Sequence, residues 1–267
     1  MISCKDLHVT FNRGLPTEKL ALRGIDLVIP SGQFVMVIGS NGAGKSTLLN
    51  TIAGDIKSTK GKILFGDHDV TKLPATGRTK DIARVFQDPL AGTCGDLTVE
   101  ENMSLAYGRS KRGTLKLALN SKVRNIFKEQ LSRLNLGLED RLESEMGLLS
   151  GGQRQSVSLL MSALQPSKIL LLDEHTAALD PKTAALIMDI TSQIIAEKHL
   201  TVMMVTHSMR QALDHGSRTI MLHEGKIIFD LDGDTRANYE VKDLLQLFAQ
   251  AKTDDEELDD DKLLLGA

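Results

Sequence analysis

The hydrophobic pattern in the first third of the chain consists of short apolar runs separated by Gly, Pro and Asp residues. Runs of this length with such boundaries are typical of β-strands. The pattern predicts strands at 2–11, 20–29, 34–38, 62–65 and 81–86. The early part of the chain is therefore expected to consist mainly of β-sheet.

From residue 98 to about 136 the pattern becomes helical, and the run Thr98-Val-Glu-Glu101 has the spacing of a capping box. After residue 168 strand and helix patterns alternate. This part predicts apolar strands at 169–172 and 202–206, short strands near Ile220 and Ile227, and a helix at about 241–250. Such alternation predicts a parallel or mixed sheet covered by helices, which is an α/β fold.

These patterns divide the chain into one folded domain and a tail. The expected boundaries are a domain at 1–250, with a core at 1–88 and 166–235, a helical subdomain at 89–165 and a C-terminal helix at 236–250, and a tail at 251–267. Seven acidic residues lie within the tail, between positions 254 and 261. A block of like charges predicts a disordered tail.

Charge and composition exclude several classes of function. Without its acidic tail the chain is close to neutral, so there is no electrostatic case for nucleic acid as a partner. Aromatic residues make up 3% of the chain and Trp is absent, so we expect no platform for stacking single-stranded bases. Cys4 and Cys94 stand in no metal-ligand spacing. We see no secretory pattern and no apolar run near the ~20 residues that span a bilayer, so work at a membrane would need partner chains.

A glycine-rich segment between a predicted strand and a predicted helix matches the phosphate-loop pattern Gly-x-x-x-x-Gly-Lys-Ser/Thr. In this setting backbone N–H groups turn toward one anion, and the helix N-terminus adds positive potential. Lys45 would reach the β- and γ-phosphates, and the Ser46 hydroxyl would bind Mg²⁺. A chance glycine turn is the alternative, and the flanking strand and helix argue against it. The predicted nucleotide-binding residues are Gly39, Ser40, Asn41, Gly42, Ala43, Gly44, Lys45, Ser46 and Thr47.

Two adjacent carboxylates, Asp173 and Glu174, follow the predicted strand at 169–172. Ligands gather at the carboxyl ends of parallel strands. Asp173 would hold Mg²⁺, directly or through water, and Glu174 would polarise the attacking water. Alone, an apolar strand followed by Asp-Glu is common, but beside a phosphate loop the pair favours a hydrolytic site.

A second anion site is predicted around Ser150 and Gln153. These two residues have the spacing of a capping box, and Gly151 and Gly152 between them leave the first helical turn unobstructed. A well-capped helix without a ligand explains the segment equally well. Because the first site does not require a second one, a second phosphate-binding surface suggests two chains that share a nucleotide.

Taken in order, these residues resemble the ABC ATPase family, and the resemblance covers nearly the whole chain. It implies a P-loop NTPase fold: a RecA-like core with a mixed or parallel sheet, a helical ABC subdomain and an N-terminal antiparallel β element. Gln87 matches the Q-loop glutamine, Asp180 ends the D-loop, and His207 matches the switch histidine. Outside this order, Gln87 and His207 would be ordinary polar residues.

The resemblance also implies roles for these residues. The implied catalytic residues are Glu174, His207 and Lys45. The implied Mg²⁺ ligands are Ser46, Gln87 and Asp173. The implied nucleotide-binding residues outside the phosphate loop are Phe11, Gln87, Ser150, Gly151, Gly152, Gln153 and Asp180. Phe11 stands where the family has an adenine-stacking aromatic, although a ring on a strand usually belongs to the core.

The implied function is ATP hydrolysis by a homodimer or cassette dimer, with ATP and Mg²⁺, at the cytoplasmic face of a bacterial plasma membrane. Integral membrane permease subunits and an extracytoplasmic substrate-binding protein would be the partners, for import of amino-acid-like solutes. The alternatives are an exporter or lipid-handling ATPase, and a soluble member of the family without transport. Two departures stand out: His175 replaces a common Pro, and the stretch 88–96 is slightly extended, which would shape the surface for the permease.

Overall fold

Two β-sheets share the strands of the structure, a computed structural model that describes residues 1–109 and 120–250. The strands are β1 (Ile2–Phe11), β2 (Lys19–Ile29), β3 (Phe34–Gly39), β4 (Lys60–Phe65), β5 (His68–Asp69), β6 (Ile82–Val85), β7 (Ile169–Asp173), β8 (Val202–Val205), β9 (Arg218–His223) and β10 (Lys226–Asp232). Every predicted strand is present, with small shifts at the ends. The hydrophobic pattern missed β5, which has only two residues.

The smaller sheet is antiparallel and has the strand order β2-β1-β4-β5. β1 lies in its interior, where Ile2 faces Ile29 of β2 on one side and Phe65 of β4 on the other. At the opposite end of β1, Phe11 faces Lys19. This sheet confirms the predicted N-terminal antiparallel element.

The larger sheet has six strands in the order β10-β9-β3-β8-β7-β6. β3 is parallel to β8 and β9, β7 is parallel to β6 and β8, and β10 is antiparallel to β9. The carboxyl ends of parallel strands meet at one edge of a sheet. The residues that follow β3, β6, β7 and β8 therefore gather at one edge, and the mixed sheet confirms the predicted α/β fold.

Helices cover the larger sheet. They are α1 (Lys45–Ala53), α2 (Ala75–Arg78), α3 (Val99–Gly108), α4 (Ser121–Ser132), α5 (Gly151–Ala163), α6 (Pro181–Lys198), α7 (Met209–Asp214) and α8 (Gly233–Ala237), and residues 241–250 are also helical. Short 3₁₀ turns lie at Pro89–Gly92, Leu138–Asp140 and Met146–Leu148. Within residues 1–109 and 120–250, no helix combines the length and apolar character needed to cross a bilayer.

The larger sheet is buried on both faces, and alternate residues of β3 point into two different cores. Val35 and Val37 belong to a core that includes residues of the smaller sheet and α1. Met36 and Ile38 belong to a core that includes residues of α3, α4 and α5. Burial on both faces is typical of parallel strands and explains why β3 is uniformly apolar.

The predicted helical stretch at 98–136 consists of α3 and α4, and residues 110–119 between them lie outside the described part of the chain. α3 begins with the predicted capping box at Thr98. The buried Glu100 carboxylate of α3 accepts two hydrogen bonds from Arg124 of α4, at 2.7 and 2.6 Å. This bidentate pair fixes the orientation of the two helices.

The structure differs from the expected C-terminal helix at 236–250 in one respect: α8 ends at Ala237, and helical structure resumes at 241. Asp232 caps α8, and the Glu240 N–H donates to the Asp243 carboxylate at 2.7 Å where the next helix begins. Because each of these helices has its own capping interaction, the single helix expected from the sequence is divided into two. The expected acidic tail at 251–267 lies outside the described residues.

Candidate nucleotide-binding site

Three glycines shape the loop between β3 and α1. At Gly39 (φ 145°) and Gly44 (φ 103°), a Cβ would stand 2.2 Å from the Leu222 carbonyl oxygen and 2.7 Å from that of Ala21, respectively. Packing therefore excludes side chains at both positions. Gly42 (φ 80°) has a left-handed backbone, and no atom lies within 4 Å of the position of its Cβ. The space in front of the loop is thus open to an anion at the N-terminus of α1.

Lys45 is the first residue of α1, and its ammonium group is held inside the loop. Its side chain is buried, and Nζ donates to the carbonyl oxygens of Gly39 at 2.8 Å and Ser40 at 3.0 Å. Burial lowers the pKa of Lys45, and the carboxylates of Glu174 and Asp173 oppose this shift. The loop therefore holds a cation whose present partners are two neutral carbonyl groups, which phosphate oxygens can replace.

A cavity of about 550 Å³ lies in front of this loop. Loop residues 41–47 line it together with Phe11, Gln87, Glu174 and His207. Phe11 is 37% exposed, so its ring stands at the cavity and not in the core. The structure thus brings most of the predicted site residues to one nucleotide-sized space.

Glu174 and His207 form a close pair in this cavity. Glu174 directly follows β7, is 9% exposed and has a left-handed backbone conformation (φ 45°). Its N–H donates to the Val205 carbonyl oxygen at 3.0 Å, and its Oε1 lies 2.7 Å from Nε2 of His207. Strained conformations of non-glycine residues cluster at active sites. The carboxylate is therefore held at the cavity, in reach of a water that it could deprotonate.

Asp173, the last residue of β7, pairs with a residue that the sequence analysis missed. Its Oδ2 accepts a hydrogen bond from Nη2 of Arg84, on β6, at 3.3 Å. The sequence contains a signal for this residue: Arg84 is the one charged residue of β6, and the other three residues of that strand are apolar. A charge in a short strand between apolar neighbours needs partners when it is buried.

The groups near the loop fit a magnesium ion. Ser46 offers an exposed hydroxyl at the start of α1, Gln87 an exposed amide beside the cavity, and Asp173 a carboxylate at the end of β7. Mg²⁺ prefers oxygen ligands and commonly combines one or two carboxylates with substrate phosphates. Bound there, Mg²⁺ would neutralise charge on the phosphate oxygens.

The predicted second anion site lies at a different cavity, of about 530 Å³. Ser150 and Gln153 form the predicted capping box at the start of α5. A Cβ at Gly152 would lie only 2.4 Å from Cγ2 of Thr183 on α6, whereas at Gly151 the nearest atom is 3.8 Å away. A side chain at Gly152 would therefore force Thr183 to shift at the contact between α5 and α6, whereas Gly151 leaves the helix start accessible.

Asp180 lines this second cavity as well and caps α6. Its carboxylate accepts a hydrogen bond from the Thr183 N–H at 3.1 Å. Interactions with the Thr183 hydroxyl and then with this N–H lower the pKa of Asp180. Asp180 and the residues Ser150 to Gln153 are thus neighbours of each other and line a cavity separate from that of Lys45.

His175, the departure from the family pattern, directly follows Glu174 and is buried. Its Nε2 is 3.0 Å from Oγ1 of Thr191 on α6. The Thr191 hydroxyl donates to the Ile187 carbonyl oxygen, so it accepts a hydrogen bond from Nε2–H of His175. Burial lowers the pKa of His175 to about 4. His175 therefore anchors the residues after β7 to α6.

Comparison with known proteins places this site in a family. The family described as ABC transporter matches residues 22–177. The tyrosine transport ATP-binding protein of Clostridioides difficile (strain R20291) is 43% identical over 251 residues, which is 94% of this chain and all of that protein. The putative hemin import ATP-binding protein HrtA of Staphylococcus aureus (strain N315) is 33% identical over 84% of this chain and 97% of its own length.

Among solved structures, the dimeric ATP-binding cassette MJ0796 in a post-hydrolysis state, bound to ADP and Pi, superimposes with a TM-score of 0.75. The two chains are 30% identical, and the alignment covers 87% of this chain and 98% of that one. The chain belongs to the ABC transporter family and is an ATP-binding subunit that hydrolyses ATP.

Proposed function

We propose that this ATPase powers the import of an amino-acid-like small solute through a membrane permease. The observation that carries the proposal is the cavity that collects Lys45, Gln87, Glu174 and His207 around one phosphate loop. The sequence identity of 43% to a tyrosine transport subunit supports the solute class.

Hydrolysis would begin with an exchange of hydrogen-bond partners. Lys45 would leave the carbonyl oxygens of Gly39 and Ser40 for the β- and γ-phosphates, and His207 would turn from Glu174 to the γ-phosphate. The Glu174 carboxylate would then accept a proton from the water that attacks the γ-phosphorus, while ADP leaves with the bridging oxygen. The close contact of His207 with Glu174 supports this order, because it occupies the base until the nucleotide arrives.

Two copies of the chain would enclose two ATP molecules head to tail. Support comes from the separation of the two cavities: Ser150 and Gly151 expose a helix N-terminus that does not line the cavity of Lys45 in the same chain. The capped start of α5 can accept phosphate oxygens from a nucleotide held by another copy. The similar cassette MJ0796 forms a dimer that is bound to ADP and Pi, and this supports a dimer here.

The permease would bind at a groove of about 520 Å³ beside the turn at Pro89–Gly92, between α3 and α5. Leu105 in this groove is 65% exposed. Arg109 also lines it, and its buried Nε and Nη2 have no hydrogen-bond partner within the described ranges. An amphipathic segment that carries a carboxylate would complement this combination. Binding to the permease would place the subunit at the cytoplasmic face of a bacterial plasma membrane. An extracytoplasmic substrate-binding protein would be a further partner of the permease.

The proposal can be tested by reconstitution. The tagged chain would be captured from detergent-solubilised membranes of its source, and the co-purified permease reconstituted with it into proteoliposomes that enclose ATP and Mg²⁺. We expect uptake of labelled tyrosine or another amino acid in the presence of the binding protein. The matched control is Lys45→Ala, which should assemble but not drive uptake. Association with a permease that moves only lipids, or only outward, would refute the import assignment.

A further inference from the structure

Arg84 lies in a nearly closed space between β6, β7 and α1. Its side chain is 13% exposed. Nη1 donates to Oδ2 of Asp55 at 2.6 Å, Nη2 donates to Oδ1 of Asn50 at 2.5 Å, and the guanidinium carbon lies 4.3 Å from the centre of the Phe86 ring. Contacts in three directions leave the planar guanidinium little freedom.

The same guanidinium connects the two elements that carry the proposed Mg²⁺ ligands. Nη2 also donates to Oδ2 of Asp173 at 3.3 Å, and the Asp173 side chain is 16% exposed. On α1, Asn50 is four residues after Ser46, so both side chains lie on the same helix face. Arg84 therefore links the face of α1 that bears Ser46 to the end of β7 that bears Asp173.

We propose that Arg84 is a positioning residue that orients the Asp173 carboxylate for Mg²⁺, an inference that rests on the magnesium site proposed above. Residues behind metal ligands usually act in this way, by fixing the direction of the ligand's oxygen atoms. Here the fixed point is α1 and the turn after it, because Asn50 on α1 and Asp55 just beyond its end hold the guanidinium while it contacts one oxygen of Asp173.

Orientation, and not charge, is the effect that the geometry favours. A cation beside a metal ligand repels the metal, which would make Arg84 unfavourable if its charge acted alone. Asp55 is paired with the same guanidinium at 2.6 Å and offsets that charge. Removing Arg84 should therefore weaken Mg²⁺ binding, although it removes a positive charge from the vicinity.

The experiment measures binding of the fluorescent analogue MANT-ATP, with excess Mg²⁺ and with EDTA, in a Glu174→Gln background that prevents turnover. In Arg84→Met the affinity in EDTA should be unchanged, because Lys45 and the loop remain. The gain in affinity from Mg²⁺ should fall about tenfold. The double variant Asp55→Asn/Arg84→Met preserves the local net charge and should show the same loss. Asp55→Asn alone leaves the guanidinium in contact with Asn50 and Asp173, and should therefore lose less of the gain than Arg84→Met.

Each outcome bears on one proposal. If Arg84→Met keeps the full Mg²⁺ gain, or loses affinity equally in EDTA, the positioning role is overturned. If Arg84→Met does not fold, Arg84→Lys replaces it, which keeps the charge but lacks the forked geometry and should lose the gain as well. If the Glu174→Gln background itself shows no Mg²⁺ gain, the proposed magnesium site fails first.

Discussion

Gly152 offers a perturbation whose effect can be derived from the structure. A Cβ at Gly152 would stand 2.4 Å from Cγ2 of Thr183, whereas a Cβ at Gly151 would meet nothing closer than 3.8 Å. Both glycines lie in the first turn of α5. Replacing either glycine by alanine would therefore raise the helix propensity by a similar amount, worth up to about 1 kcal/mol. The difference between the two alanine variants therefore isolates the steric clash with α6.

The expected magnitude follows from the contact distance. Carbon atoms in good contact are about 3.5–4.0 Å apart, so the new methyl group and Thr183 must separate by more than about 1 Å. Overpacking of this kind costs about 1–3 kcal/mol. In a domain of this size each kcal/mol corresponds to roughly 2–4 °C. We expect Gly152→Ala to melt about 2–12 °C below Gly151→Ala.

Thermal unfolding of the purified variants tests this, with Thr183→Ser as the matched second change. Thr183→Ser removes Cγ2 but keeps the hydroxyl and the N–H that interact with Asp180, so Gly152→Ala/Thr183→Ser should recover most of the loss. Gly151→Ala should keep its stability and yet weaken ATP-dependent dimerisation, measured by light scattering in a Glu174→Gln background. Equal melting of the two glycine variants, or no recovery in the double variant, would refute the packing argument.

Three further predictions concern the nucleotide and the buried histidine. Glu174→Gln should bind ATP and Mg²⁺ but lose most phosphate release, because the general base is removed while the phosphate loop is intact. Phosphate release at the wild-type rate would contradict the role of Glu174 as the base. Phe11→Ala should weaken MANT-ATP binding by ~1–3 kcal/mol, and Phe11→Tyr should bind with nearly unchanged affinity. Equal affinity of Phe11→Ala and wild type would show that the ring does not stack on the adenine. The folded-state pKa of His175 is about 4 against the ordinary 6.5, so stability falls by about 3 kcal/mol as the pH drops from about 6.5 to about 4. Melting temperatures of wild type and His175→Gln that change in parallel over this pH range would show that folding does not shift the pKa of His175.

The parts of the site that the sequence predicted are local. The capping boxes at Thr98 and Ser150 depend on residues three positions apart, and the structure confirms both. The pair Asp173–Glu174 needed only the recognition of a strand and its end. Because the hydrogen bonds of such features join residues only a few positions apart, the local sequence pattern is enough to predict them.

Arg84 could not be predicted in this way, because its partners are distant in the chain. Asp55, Asn50 and Asp173 are 29, 34 and 89 residues away from it. The sequence shows a charge within a short strand, but only the order of β6, β7 and β8 in the sheet determines which carboxylate it meets. Sequence analysis likewise treated Gly151 and Gly152 as equivalent, and the close approach of Thr183 distinguishes them.

The residues that follow β7 connect the hydrolytic cavity to the start of α5 within one chain. Glu174 contacts His207 in the cavity, His175 is anchored to α6, and eight residues further on Thr183 packs against Gly152. Interiors are close-packed, so a displacement at one end of so short a segment cannot be absorbed without moving its neighbours. If a nucleotide draws His207 away from Glu174, as we propose, this segment would be the physical connection by which α5 responds. The recovery expected from Thr183→Ser in Gly152→Ala measures how rigid the last contact of this segment is.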